Sequence, residues 1–268
     1  ILERGESFYN PILPEIVAEL DRKGLIVISE GAKCLFLEGF TNREGEPLPL
    51  IVQKSDGGYN YDTTDMAAIR HRIEVEKGQR LIYVTDAGQA QHFKMIFTAA
   101  QKAGYLDPAR VRTDHVPFGL VLGGDGKKFK TRSGETERLI DLIETAIEEA
   151  GKILDERSPD MPLDERKKLS EALGIGAIKY ADLSCHRTSD YVFSYERMLK
   201  FEGNTAAFLM YAYVRIAGIK RKVQANIGQL LLENRILLEH PAEIALGLHI
   251  AQFGEALEMV AEDLLPNR

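Results

Sequence analysis

A short segment around position 60 combines residue types that could hold a planar cation. It reads Ser55-Asp-Gly-Gly-Tyr-Asn-Tyr-Asp-Thr-Thr-Asp65, and its paired glycines let the backbone approach a ligand closely. Tyr61 and Asp65 are four residues apart, so at the start of a helix they share one face. A carboxylate beside an aromatic hydroxyl suits a guanidinium group, which donates forked hydrogen bonds and stacks on rings. The simpler interpretation of this spacing is structural: Asp65 caps the following helix and Tyr61 packs half-buried against it.

Two further features of the sequence contain residue types suited to binding phosphate groups. A basic run, Lys-Lys-Phe-Lys-Thr-Arg-Ser-Gly, extends from Lys127 to Gly134, and its Lys130 and Arg132 could stabilise the negative charge of phosphates. Taken alone, such a run is more simply a solvated turn. His92 follows a strand-ending turn, where it could contact a nucleotide or hold the pocket together. A metal site is not expected, because the histidines have no metal-type spacing.

The elements that must position these residues alternate between strands and helices. A helix from Pro11 to Leu20 precedes predicted strands at 25–28, 34–37 and 50–52. A helix from Thr64, a strand over 80–84 and a helix over 92–103 follow, the last closed by Gly104 as a C-terminal cap. A further strand region spans 111–122. This alternation predicts a mostly parallel α/β sheet.

From about position 138 onward the pattern is almost entirely helical. Asn204 is a candidate N-cap of an all-α module, with Leu209, Tyr213 and Ile216 in register behind it. The sequence predicts three parts: residues 1–145 as part of a Rossmann-like catalytic domain, 146–203 as a connecting helical region, and 204–268 as an incomplete all-α domain. The predicted fold class is therefore a partial, doubly wound parallel α/β sheet followed by helices.

Composition excludes some classes of protein. The net charge of −7 argues against wrapping nucleic acid by bulk charge, although it allows a local basic patch. No stretch reaches the roughly 18 uninterrupted apolar residues of a membrane span, so no membrane partner is expected. Cys34 and Cys185 are expected to be free thiols in a reducing compartment, and we predict a cytoplasmic location.

Four blocks, in order along the chain, resemble arginyl-tRNA synthetases of class I. The first is the Ser55–Asp65 segment with the Met-Ala-Ala-Ile-Arg that follows it. The second is Tyr83-Val-Thr-Asp-Ala-Gly-Gln-Ala-Gln-His92, and the third is His115-Val-Pro-Phe-Gly-Leu-Val-Leu-Gly123. The fourth runs from Tyr180 through Phe201-Glu-Gly-Asn-Thr-Ala206 to Tyr211-Ala-Tyr-Val-Arg215. Together they cover nearly the whole chain, which makes the resemblance far more specific than any single motif.

The resemblance implies roles for particular residues. Tyr61, Asp65 and Gln89 would bind the substrate arginine. The expected ATP-binding residues are His92, Phe118, Gly119, Val121 and Lys130. The basic run would be the mobile lysine-rich loop of the class, with Lys130 and Arg132 as catalytic cations, although the usual Lys-Met-Ser-Lys-Ser pattern is not intact. Arg187 would contact tRNA phosphates.

The implied reaction joins L-arginine to its tRNA through an arginyl-adenylate, with ATP as substrate and Mg²⁺ beside it, in a monomer. No His-Ile-Gly-His-type motif is found, so we expect a fragment that lacks the first half of the site and does not support arginine-dependent pyrophosphate exchange alone. Two alternatives stay open. The first is a cysteinyl or glutaminyl synthetase, against which the pocket carboxylate argues, and the second is a non-catalytic tRNA-binding or assembly module derived from a synthetase.

Overall fold

The computed structural model describes residues 2–42, 44–127, 138–224 and 226–268, which form two compact units, 1–118 and 119–268. Each unit has its own hydrophobic core. The predicted Lys127–Gly134 loop, with Lys130 and Arg132, lies almost wholly outside the described residues. The predicted three-part division at 145 and 203 stays a prediction.

In its described residues, the first unit contains two 3₁₀ helices, three α-helices and five strands. In chain order they are the 3₁₀ helix Glu6–Ile12, α1 Leu13–Arg22, β1 Val27–Ser29, β2 Ala32–Thr41, β3 Pro47–Gln53, α2 Tyr61–Glu74, β4 Arg80–Asp86, the 3₁₀ helix Ala87–Gln89, α3 Ala90–Lys102 and β5 Arg112–Phe118. Helix α1 buries Leu13, Ile16, Val17 and Leu20, whose spacing places them on one helical face. The predicted glycine cap of α3 is confirmed, since Gly104 has a φ of +74°.

The strands of this unit do not form one parallel sheet. β1, β2 and β3 form an antiparallel sheet, whereas β4 and β5 form a parallel pair in the register Arg80 with Arg112 through Asp86 with Phe118. The antiparallel order follows from the short connections between β1, β2 and β3, because a parallel connection needs a crossover of a dozen or more residues. The mixed α/β class is confirmed, and the parallel arrangement begins only at β4.

The second unit is mostly helical. Its elements are β6 Val121–Leu122, α4 Leu139–Arg157, α5 Leu163–Ser184, β7 Tyr191–Val192, α6 Tyr195–Met198, α7 Ala206–Lys222, α8 Ile227–Glu233, α9 Pro241–Ala251 and α10 Phe253–Asp263. β6 and β7 form a short parallel pair. Helices α4 and α5 pack closely at Gly174, where an added Cβ would lie 2.7 Å from the Ile147 backbone nitrogen.

The predicted N-cap of α7 is wrong by one residue. Thr205 caps this helix by accepting a hydrogen bond from the Phe208 N–H, while the predicted cap, Asn204, accepts one from the Tyr180 hydroxyl. Leu209, Tyr213 and Ile216 lie on α7 as their spacing predicted, and their side chains are exposed. Within the described residues, no single helix is long and apolar enough to cross a membrane, and one bent pair, α9 with α10, meets that length and composition test together.

Candidate functional site

The predicted cation-binding segment forms the start of α2, but the helix begins earlier than the pattern indicated. Asn60 caps it, and the Asn60 side chain accepts a hydrogen bond from the Asp62 N–H at 3.2 Å. Asp65 therefore lies in the second turn, which removes the interpretation of Asp65 as the cap. Tyr61 is 58% exposed and is not packed half-buried. Both of the predicted pocket residues on α2 are thus accessible from solvent.

Asp62, which sequence reasoning did not select, is the buried centre of this region at 7% exposure. Its Oδ2 accepts hydrogen bonds from the Ile51 N–H of β3 at 3.1 Å and from the Asn60 side-chain amide at 3.2 Å. Its Oδ1 lies 3.3 Å from Nδ1 of His92. Asp62 consequently joins β3, α2 and α3 through a single carboxylate.

His92, on the first turn of α3, bridges two carboxylates. Its Nε2 lies 2.6 Å from Asp65 Oδ2, opposite the Nδ1 contact with Asp62. Burial disfavours the charged ring, but the hydrogen bonds and charges of Asp62 and Asp65 outweigh burial and raise the pKa of His92 to about 9. The ring is therefore an imidazolium near neutral pH and donates to both carboxylates.

The Tyr61 ring completes the cluster. It meets the His92 ring edge to face at a centroid distance of 4.9 Å, so an aromatic surface lies beside the charged residues. Gln89 lies one residue before α3 and donates from Nε2 to Asp86 Oδ2 at 2.5 Å. The structure thus brings Tyr61, Asp65 and His92 together, and it holds Gln89 through Asp86 at the end of β4.

The predicted nucleotide strand is interrupted after Phe118, where β5 ends. In the second unit the Gly119 N–H donates to the Arg187 carbonyl at 2.7 Å, and the Leu120 N–H donates to Asp190 Oδ1 at 2.6 Å. Val121 begins β6, paired with Tyr191 of β7. The N–H groups of Gly119 and Leu120 are therefore already hydrogen-bonded within the unit.

Arg187 is anchored within the same unit. Its Nε donates to the Leu264 carbonyl at 3.0 Å, while its own carbonyl accepts from Gly119. The arginine therefore connects the β6 region with the end of α10. Among the described residues, no group of three or more His, Cys, Asp or Glu side chains has an arrangement that could hold a metal ion.

Comparison with known proteins identifies the class and then the family. The family model "tRNA synthetases class I (R), catalytic domain" matches residues 1–195, and "DALR anticodon binding domain" matches residues 209–268. These matches place the chain among the class I tRNA synthetases. Within that class, the chain belongs to the arginyl-tRNA synthetase family, as the four sequence blocks predicted, and not to the cysteinyl or glutaminyl type.

Individual relatives agree with this assignment. The chain is 70% identical over its whole length to an arginine–tRNA ligase of Protochlamydia amoebophila and 55% identical to one of Nostoc sp., and it covers 46% of each. It spans about half the length of the curated relatives it matches. The crystal structure of arginyl-tRNA synthetase from Plasmodium falciparum aligns with the whole chain at a TM-score of 0.84 and 36% identity, with 44% of that protein covered. The Thermus thermophilus enzyme shares the fold, with a TM-score of 0.74 at 21% identity over 96% of the chain and 47% of that enzyme.

Proposed function

We propose that this chain provides the arginine pocket and part of the ATP site of an arginine–tRNA ligase. The observation that carries the proposal is the Asp65 carboxylate, which is accessible at the start of α2 and lies beside the exposed Tyr61 ring. Its side chain is 28% exposed, and Oδ2 alone is engaged by His92. Family membership supplies the reaction: ligation of L-arginine to its tRNA through an arginyl-adenylate.

In the proposed pocket, Asp65 and Tyr61 receive the guanidinium of the substrate. Within the described residues Asp65 Oδ1 has no hydrogen-bond donor, so this oxygen is available to a guanidinium N–H. Such a charge-assisted bond is roughly twice as strong as a neutral one. The Tyr61 ring offers a surface for stacking of the planar cation. Gln89 contributes a side-chain amide from the turn that follows β4.

Activation of arginine consists of attack by its carboxylate on the α-phosphate of ATP, with release of pyrophosphate. Catalysis then depends on positioning and on cations that stabilise the phosphates. We propose Phe118, Gly119 and Val121 for the nucleotide, together with Lys130 and Arg132 as the cations. The proposal includes Mg²⁺ bound with ATP. The contact of His92 with ATP stays a prediction, and both of its ring nitrogens already face carboxylates.

Recognition of tRNA is assigned to the second unit. The support is the match of residues 209–268 to an anticodon-binding domain and the position of Arg187 between the β6 region and α10. Arginine side chains commonly contact the phosphate oxygens of nucleic acids. The proposal extends to a monomer that works in the cytoplasm.

Binding of L-arginine tests the pocket directly and does not require turnover. Isothermal titration calorimetry on the 268-residue chain, with ATP present and absent, should detect L-arginine but not citrulline, whose side chain is uncharged. Asp65→Ala should abolish binding. The matched control is Asp21→Ala, which removes an exposed carboxylate at the end of α1 and should leave binding unchanged.

Three results would contradict the proposal. They are equal affinity for citrulline, unchanged binding by Asp65→Ala, and no binding by the folded wild-type chain even with ATP. Binding of tRNA without any binding of arginine would instead favour the non-catalytic tRNA-binding module.

A further inference from the structure

The two carboxylates of the His92 cluster occupy different environments although they are three residues apart on the same helix. Asp62 is buried and receives three donors, from Ile51, Asn60 and His92. Asp65 is partly exposed, and His92 is its one hydrogen-bonding partner among the described residues. Asp62 is therefore fixed by the fold, whereas the position of the Asp65 carboxylate depends on His92.

We propose that His92 is a positioning residue of the arginine site, held by Asp62 and holding Asp65, which also compensates one of the two carboxylate charges. The proposal rests on the proposed function, because it requires that Asp65 receive the guanidinium. Nε2 of His92 engages Oδ2 of Asp65, and among the described residues Oδ1 has no hydrogen-bond donor. The ligand would then meet a carboxylate with a fixed orientation.

Charge balance gives a physical reason for a cation at this position. Residues three apart on a helix are neighbours, so two uncompensated carboxylates at 62 and 65 would repel each other. With the imidazolium between them, two negative charges and one positive charge leave a cluster of net charge −1. That charge matches one guanidinium. A neutral side chain, such as that of citrulline, leaves the charge of the cluster uncompensated.

Other neighbours of His92 and Asp65 do not replace the hydrogen bonds between His92 and the two aspartates. Among the described residues, the titratable groups in contact with His92 are Asp62, Asp65 and Tyr61, all on α2. Phe93, next to it on α3, contributes an uncharged ring. Arg72, two turns further along α2, interacts electrostatically with Asp65 but forms no hydrogen bond or ion pair with it among the described residues. The Asp65 carboxylate is thus oriented by His92.

The arrangement makes arginine binding and the protonation of His92 interdependent. A guanidinium bound to Asp65 lies near the imidazolium, and the like charge disfavours the protonated ring. Bound arginine should therefore lower the pKa of His92, and by linkage binding should release part of a proton where the free ring is still charged. A histidine distant from the bound guanidinium would not respond to the ligand in this way.

The test combines affinity with direct observation of the ring. L-arginine affinity is measured by calorimetry for the wild-type chain, His92→Gln, and the matched control His249→Gln, which changes an exposed histidine of α9. Glutamine retains a donor near the Nε2 position but not the charge. We expect His92→Gln to bind about ten- to a hundredfold more weakly, as loss of a charged hydrogen bond implies, and His249→Gln to bind normally.

The second measurement is an NMR pH titration of the chain labelled at histidine, with and without saturating L-arginine. The His92 signal, identified by its loss in His92→Gln, should titrate near pH 9 without ligand and at lower pH with arginine. Should His92→Gln fail to fold, the signal is identified as the one that Asp65→Asn shifts to lower pH. Wild-type affinity in a folded His92→Gln, or a His92 titration that arginine leaves unmoved, overturns the inference. A wild-type chain that binds no arginine contradicts the proposed function instead.

Discussion

The stability of the first unit should decrease as pH rises from about 6.5 to about 9, because His92 holds a proton in the folded state that it loses when unfolded. Its reference pKa of 6.5 is raised to about 9 by Asp62 and Asp65 against the opposing effect of burial. A raised pKa contributes stability that is fully present below the unfolded value and is lost as pH passes through the folded value. The change is therefore a loss of stability toward alkaline pH.

The magnitude follows from the size of the shift. One pKa unit corresponds to about 1.4 kcal/mol, so a rise from 6.5 to about 9 corresponds to roughly 3 kcal/mol. The His92 side chain is 16% exposed, so solvent screens the ion pairs less than it would at the surface. A contribution of this size is a large part of the stability of an ordinary domain, about 5–15 kcal/mol.

Urea denaturation followed by circular dichroism measures this contribution. Other groups also titrate in this range, so the relevant quantity is the difference in unfolding free energy between the wild-type chain and His92→Gln. This difference should shrink by about 3 kcal/mol between roughly pH 6 and pH 10, while the difference between wild type and His249→Gln should stay flat. A wild-type to His92→Gln difference that does not vary with pH would refute the assignment of a bridging imidazolium.

Two further predictions concern packing in each unit. Thr63→Val should destabilise the first unit by about 1–2 kcal/mol in urea denaturation, because the fully buried Thr63 hydroxyl donates to the Val52 carbonyl at 2.6 Å. An unchanged denaturation midpoint would show that this hydrogen bond makes no net contribution to the free energy of unfolding. Gly174→Ala should lower the melting temperature of the second unit, at a cost of about 1–3 kcal/mol, because the new Cβ would meet the Ile147 backbone at 2.7 Å. Gly176→Ala is the matched control, since the one tight contact of its Cβ would be with the flexible methyl end of Met210, and equal destabilisation by both variants would contradict the explanation.

The sequence was informative where function depends on local spacing. Tyr61 and Asp65, four apart, were predicted to share a helical face near a ligand, and the structure places both at the start of α2 with accessible side chains. The helix start itself was placed at Thr64, three residues too late. Several residues of this segment can cap a helix, and only the folded backbone selects Asn60 among them.

The arrangements that depend on distant residues were not predictable from local pattern. Asp62 and Asp65 meet His92, which is 27 residues beyond Asp65, because α2 and α3 pack side by side. Likewise, Asn204 is used by Tyr180, 24 residues earlier, which leaves the adjacent Thr205 to cap α7. Apolar runs identify strands but not their direction, so the antiparallel order of β1, β2 and β3 was also missed.

The helical period explains how one short segment serves both the fold and the site. With 3.6 residues per turn, positions 62 and 65 lie on the same side of α2, so both carboxylates face the first turn of α3, where His92 lies. Asp62 is nearer the cap and β3, so it is buried and accepts hydrogen bonds from the Ile51 N–H and the Asn60 amide. Asp65 is one turn further from β3 and stays partly exposed. A shift of α2 by one residue would separate both aspartates from His92, and for this reason the Asn60 cap, which sets the helix start, determines the geometry of the proposed arginine pocket.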